Sequence, residues 1–285
     1  MADVGDKAGS AGTAGTAGTA GKAGPVQNSP VMSLFITAGF PTLEDSLDLI
    51  LGFEKNGADI IELGLPFSDP LADGPSIQVA SQTAIQNGVT MPWILDLVKS
   101  VRNHSEIPVI LMGYINPILH YGVERMIREA AEAGADGFII PDLPVGEMPE
   151  IREQIQAAGM DFIHLVAPNT SSERMRLIDR HSSGFVYCVS VTGVTGTREG
   201  DEVSRSVGQF IERVQENITS NPKMIGFGIK NHEDAMRVSE HVDGFIVGSA
   251  LVEIIRRSFN PSDPAWKEEL FQFVRQLKFG DSAAG

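Results

Sequence analysis

After residue 30 the chain alternates, eight times over, an apolar run of strand length with an amphipathic run of helix length. That rhythm restricts the fold more than any other feature. The strand candidates fall at 32–37, 59–63, 108–114, 137–141, 162–166, 185–190, 224–228 and 244–247. Helical patterns lie between them at 43–55, 92–101, 123–133, 148–158, 172–180, 206–217 and 233–240, with 264–277 following the last strand. The strand runs are rich in Val, Ile and Phe with little polar alternation, as expected where helices cover both faces of a parallel sheet. Three segments echo one another: NGADIIELG at 56–64, AGADGFIIPD at 133–142 and HVDGFIVGS at 241–249. Each closes a helix with a turn and launches a strand through Asp. Eight β/α units of about 30 residues predict an α/β fold, a single-domain (β/α)8 barrel, over an open doubly wound sheet.

The ends of the chain read differently. From Gly9 to Gly24 a glycine falls at every third position, mostly in Ala-Gly-Thr triplets. Collagen shares that period, but one proline (Pro25) and one short tract would not hold a triple helix. A transit peptide would be Arg-rich and acid-poor, whereas this stretch has no Arg and carries Asp3 and Asp6. The expected organisation is a disordered Ala/Gly/Thr-rich tail over 1–30, the barrel over 31–279 and a flexible C-terminus over 280–285.

Composition excludes several classes of function. A net charge of −15 disfavours nucleic acid and anionic membranes, which reward basic surfaces. Cys188 is the only cysteine, so neither an intrachain disulfide nor a cysteine-based zinc site can form. The six histidines show no HxH or HExxH spacing, and no metal is expected. No apolar run of about 18 residues and no signal-peptide core occurs, so no membrane partner and a cytoplasmic location are expected.

In a barrel of this kind the chemistry sits at the C-terminal ends of the strands. Thr37, Glu62, Tyr114, Asp142, Ser190, Gly228 and Gly248 occupy those positions. Glu62 is an acid inside a nearly continuous apolar run, Ile60 to Gly64. Lost solvation would raise its pKa toward the range useful for proton transfer near neutrality. The plainer reading is a glutamate at an exposed strand end, or one paired with a buried Arg. Eleven residues on, Asp73 follows on a loop stiffened by Pro66, Pro70 and Pro75. Two carboxylates in different surroundings can divide roles, one exchanging protons and one remaining an ionised acceptor. Taken alone, Asp73 reads better as a turn residue bonded to its own backbone, and Asp69 more strongly so.

A second group of residues suits a phosphate. Gly226-Phe227-Gly228 closes the seventh strand candidate, and Gly248-Ser249 closes the eighth and opens the helical run 250–257. Loops after strands seven and eight, with a short helix N-terminus, commonly bind phosphate in such barrels. Ser249 can cap that helix and donate to an oxyanion. Tight turns that need glycine only are the alternative. The segment from Tyr187 to Thr197 runs from a strand into a Gly/Thr-rich loop that could close over a ligand, or could be a plain connection. Lys230 allows a Schiff base but fits a solvated loop lysine better. No GxSxG, P-loop or GxGxxG occurs, which leaves acid/base catalysis on a phosphorylated small molecule.

Phe35-Ile36-Thr37-Ala38-Gly39, the string ELGLPFSDPLADGP at 62–75, Pro141-Asp142-Leu143-Pro144, Gly193-Val194-Thr195-Gly196 and Gly226-Phe227-Gly228-Ile229 carry a family resemblance. Over about residues 32 to 278 the chain resembles the tryptophan synthase alpha chain, a TIM barrel. That resemblance implies a lyase making the retro-aldol cleavage of indole-3-glycerol phosphate to indole and glyceraldehyde 3-phosphate, without metal or cofactor in this chain. It assigns Glu62 as the general acid/base and Asp73 as the acceptor of the indole N–H. It puts Phe35, Tyr114 and Tyr187 around the indole. Thr195, Gly196, Gly228, Gly248 and Ser249 join the substrate and phosphate contacts, and 191–202 forms a closing loop. The implied partner is a tryptophan synthase beta chain holding pyridoxal phosphate (PLP), in an alpha2beta2 assembly or a fused polypeptide, docked on loop 66–73 and the loop after Val191. Alternatives are a stand-alone lyase of secondary metabolism and a non-catalytic module regulating a beta chain. The chain departs from the family pattern in its low-complexity residues 1–30, where a short helix is usual, in Val191 where some members carry Arg, and in Pro144-Val145-Gly146-Glu147.

Overall fold

The computed structural model describes residues 29–189, 200–226 and 228–281. Expectations for residues 1–28, for Ser190 to Glu199, for Phe227 and for the last four residues lie outside that range. Nine parallel strands form one sheet: β1 (Val31–Thr37), β2 (Ile60–Gly64), β3 (Val109–Met112), β4 (Gly137–Ile139), β5 (Asp161–Ile163), β6 (Leu165–Val166), β7 (Val186–Val189), β8 (Lys223–Gly226) and β9 (Gly244–Val247). β5 and β6 are halves of the predicted fifth strand, parted only at His164. β5 pairs with β4 and β6 with β7, and the Tyr187 N–H donates to the His164 carbonyl at 3.0 Å. β1 pairs with both β2 and β9. The sheet therefore closes on itself, and the expected (β/α)8 TIM barrel is the fold observed.

The covering helices are α1 (Asp45–Lys55), α2 (Pro75–Gln86), α3 (Met91–Arg102), α4 (Ile115–Tyr121), α5 (Val123–Ala133), α6 (Pro149–Ala157), α7 (Ser172–His181), α8 (Gly200–Asn217), α9 (His232–Ser239), α10 (Ser249–Ser258) and α11 (Trp266–Phe279). The sequence pattern did not predict α2 or α4. In α2 the buried positions are Ile77, Ala80, Ser81 and Ala84, a helical spacing built largely from small residues. Its start follows ordinary rules, with Gly74 before it and Pro75 in the first turn. Among the described residues no helix is long and apolar enough to cross a membrane.

Two apolar layers follow from the period-two alternation of the strands. Ile110, Ile139, Ile163, Phe185, Met224 and Ile246 fill the barrel's interior, and a larger cluster lies between strands and helices. The echoed aspartates act at the N-terminal rim of the barrel. Each precedes a strand and accepts the N–H of a residue at the start of a neighbouring strand. Asp59 takes Met32 N–H at 2.7 Å, Asp136 takes Val109 N–H at 2.8 Å and Asp243 takes Lys223 N–H at 2.8 Å. Each also pairs with a cation: Lys278, Arg102 and Lys223 respectively. Lys278, at the end of α11, donates to the Pro30 carbonyl as well, so the C-terminal helix ties down the entry to β1.

Candidate active site

Glu62 and Gly64 share the inward face of β2, one layer apart, and Phe35 lies across from Glu62 in the β1 register. The Glu62 carboxyl is fully buried. Its Oε1 accepts a 2.7 Å hydrogen bond from the Ser33 hydroxyl, and its Oε2 has no partner among the described residues. Among the described residues no cation pairs with it. Desolvation pushes its pKa up from 4.5 to about 7, against the lowering effect of Ser33. The sequence expectation of a desolvated acid is met, and the buried-Arg alternative is not.

Asp73 is carried above the barrel by the loop that leads into α2. Burial raises its pKa to about 6, opposed by a hydrogen bond from Tyr114. Tyr114 stands just beyond β3 and before α4, and its hydroxyl also accepts the Ala72 N–H at 2.9 Å. The Tyr114 ring packs on Phe67 with centroids 5.5 Å apart. Ser81 of α2 clasps the base of the loop, accepting the Phe67 N–H at 2.8 Å and donating to the Phe67 carbonyl at 3.0 Å. Asp73 is thus a positioned group rather than a residue capping its own turn. Asp69 remains exposed, its carboxylate accepting from neighbouring Ser68 and its carbonyl from the Leu71 N–H.

A cavity opens between these elements, bounded by Phe35, Thr37, Gly64, Asp73, Met112 and Tyr114. Its walls are apolar and aromatic apart from Asp73, Ser81 and Thr37, and the buried Thr37 Oγ1 has no partner among the described residues. Tyr187 reaches inward from β7, and burial pushes its phenol well up, with Glu62 and Asp73 adding to the effect. Asp73 lines the cavity itself, and Glu62 lies one layer beneath the cavity-lining Gly64 on β2. Two glycines make room for the rings. A Cβ at Gly64 would lie 2.6 Å from Cζ of Phe35, and one at Gly226 would lie 2.6 Å from the Tyr187 hydroxyl.

Gly228 and Gly248 follow β8 and β9 as expected. Gly228 has a φ of 39°, and Gly248 precedes the ten-residue α10. No side chain caps α10, and Ser249, its first residue, is exposed. Its leading N–H groups present positive dipole ends toward the barrel mouth. Ser76 of α2 donates to Glu253 of α10, which joins the Asp73 loop to this helix. Thr195 and Gly196 lie outside the described residues. Asp142 accepts the Ile115 N–H at 2.9 Å, a helix-start role, and Lys230 is exposed. Among the described residues no group of three or more His, Cys, Asp or Glu could hold a metal.

Ser33, Gly64 and Met112 were missed by sequence reasoning. Period two along β1 puts Ser33 on the face that carries Phe35 and Thr37, a signal that becomes specific only when β2 is known to lie alongside.

A closed parallel barrel with a fully buried carboxyl, a second carboxylate and an aromatic cavity at its C-terminal rim has the layout of a barrel enzyme. The family profile described as tryptophan synthase alpha chain matches residues 25–279. The tryptophan synthase alpha chain of Thermoanaerobacter sp. (strain X514) is 46% identical over 244 residues, 86% of this chain and 91% of that one. That of Geotalea uraniireducens (strain Rf4) is 46% identical over 259 residues, 91% and 95% of the two chains. A solved structure from Pyrococcus furiosus, described as bearing on mutual activation of the tryptophan synthase a2b2 complex, superposes with a TM-score of 0.79 at 37% identity. It covers 87% of this chain and 98% of its own. The chain belongs to the tryptophan synthase alpha chain family, and it is a carbon–carbon lyase that carries out the alpha reaction of tryptophan biosynthesis.

Proposed function

We propose that Glu62 and Asp73 divide the cleavage of indole-3-glycerol phosphate between them. The single observation that carries this reading is the fully buried Glu62 carboxyl, held near neutrality by desolvation with one oxygen unpartnered. A neutral Glu62 donates its proton to indole C3 and turns the ring into a leaving group. The carboxylate left behind takes the glycerol hydroxyl proton as that oxygen becomes the aldehyde carbonyl. The electrons of the broken C–C bond return to the ring, so indole and glyceraldehyde 3-phosphate leave and Glu62 ends protonated. Asp73 accepts the indole N–H and offsets the positive charge that C3 protonation creates on the ring.

Phe35, Tyr114 and Tyr187 enclose the ring. The uncapped start of α10, with Gly228, Gly248 and Ser249, takes the phosphate through backbone N–H groups, which suits a chain of net charge −15. Thr195 and Gly196 complete the contacts from the loop after β7. This chain supplies no cofactor of its own to the reaction. A beta chain is the partner, and its docking face includes the loop between Pro66 and Asp73, where Leu71 is 94% exposed. Lys278 ties down the entry to β1 by donating to the Pro30 carbonyl.

The test is indole release by the full chain, alone and with a beta chain added, for wild type and Glu62→Gln. Strong activation by the beta chain and loss of turnover in the variant are expected. High solo activity with no activation would favour a stand-alone lyase, and normal turnover by Glu62→Gln would remove Glu62 from the mechanism.

A further inference from the structure

We propose that Ser33 is a positioning residue for Glu62: its hydroxyl commits one carboxylate oxygen, so that the proton exchanged with substrate is carried on the other. This rests on the reading of Glu62 as the proton carrier and says how the fold prepares it.

Ser33 is the lone polar residue in the first six positions of β1, Val-Met-Ser-Leu-Phe-Ile, and is fully buried. A serine there loses water and must find a partner, because an unpaired buried hydroxyl costs about 1–3 kcal/mol. Serines inside strands can satisfy themselves on nearby backbone. This one instead reaches across to β2, where its Oγ lies 2.7 Å from Oε1 of Glu62. The register makes the contact diagonal. Ser33 stands opposite Ile60, while Phe35 stands opposite Glu62, so the hydroxyl approaches from the layer beneath the reacting end.

Three consequences follow from that placement. A hydroxyl has one proton to give, and giving it to Oε1 fixes the carboxyl's rotation about its final bond. The two oxygens then differ. Oε1 is an occupied acceptor, whereas Oε2 has no partner and is the atom able to hold and pass a proton. Last, the donor favours the ionised form, so it opposes desolvation and keeps the group from becoming too weak an acid to give up its proton. Ser33 touches neither substrate nor reacting atoms, and its effect passes entirely through Glu62.

The experiment is the pH profile of kcat for indole release by the full chain with its beta chain, comparing wild type, Ser33→Ala, Ser33→Thr and Glu62→Gln. Losing a donor to a charged group should move the alkaline limb, where Glu62 loses the proton it must deliver, upward by about one pH unit. In Ser33→Ala, kcat should fall about tenfold with KM within about twofold. Ser33→Thr, which keeps the hydroxyl, should restore the limb and kcat. If Ser33→Ala does not fold, Ser33→Cys, close in size with a weak donor, gives the same comparison. An unmoved limb in the donor-poor variant, or a Thr variant no closer to wild type than Ala, overturns the proposal. With Glu62→Gln inactive, that failure retires Ser33 alone. An active Glu62→Gln retires the reading beneath it.

Discussion

The two ends of this barrel use carboxylates in opposite ways. At the N-terminal rim, Asp59, Asp136 and Asp243 each accept a backbone N–H from a neighbouring strand and each pair with a cation. At the C-terminal rim, Glu62 and Asp73 have no cation partner among the described residues, and burial raises both, to about 7 and about 6. The same fold thus holds acids that are satisfied and acids that are deliberately short of partners. The first kind contributes stability. The second kind lowers it in exchange for a proton that can move near neutral pH. Sequence position within the repeat separates them, since an acid before a strand and an acid at its end look alike in composition.

Breaking the top rim should give the largest effects. Glu62→Gln is expected to lower kcat about 10³-fold while substrate binding persists, measured by indole release and by equilibrium binding of the intact substrate. The same substitution should show what Glu62 costs the fold. Its folded pKa lies above the ordinary glutamate value of 4.5, so the folded chain holds an extra proton between about pH 4.5 and 7. Stability from that proton is present at low pH and is lost as pH rises through 7. Denaturant titrations should find wild type losing up to about 3 kcal/mol relative to Glu62→Gln between pH 5 and 8. A constant difference would count against a desolvated Glu62.

At the bottom rim the balance should reverse. Arg102 pairs with Asp136 and donates to the carbonyls of Gly134 and Ile107, with both side chains less than a fifth exposed. Arg102→Ala should cost about 3 kcal/mol of stability with kcat within about twofold of wild type below the melting transition. A variant that is stable but slow would contradict the division between the rims. Asp73→Asn should be gentler than Glu62→Gln, costing about 10²-fold in kcat, because Tyr114 and the clasp of Ser81 hold the loop in place without the charge.

Much of this layout was legible in the chain. Helix α5 and strand β9 match their predicted bounds residue for residue. Glycines with positive φ, Gly122 and Gly134, punctuate α5 at both ends. The third strand was overrun at its end, since β3 stops at Met112 although the Gly113 N–H still donates to the Ile139 carbonyl at 3.0 Å. Helix α2 was hidden by its small, weakly apolar buried face. Glu62 announced itself as an acid within an apolar run. Ser33 did not, since one serine in a strand carries no signal until strand order sets β1 beside β2. Sequence shows a buried charge readily, and shows its partner only once topology is known.

The measurement closest to the centre of this account is a direct titration of Glu62, by carboxyl-carbon NMR of glutamate-labelled wild type with Glu62→Gln to assign the resonance. A midpoint near 7 is predicted. A midpoint at the ordinary glutamate value near 4.5 would contradict the claim that the barrel prepares this acid by withholding water and cations from it.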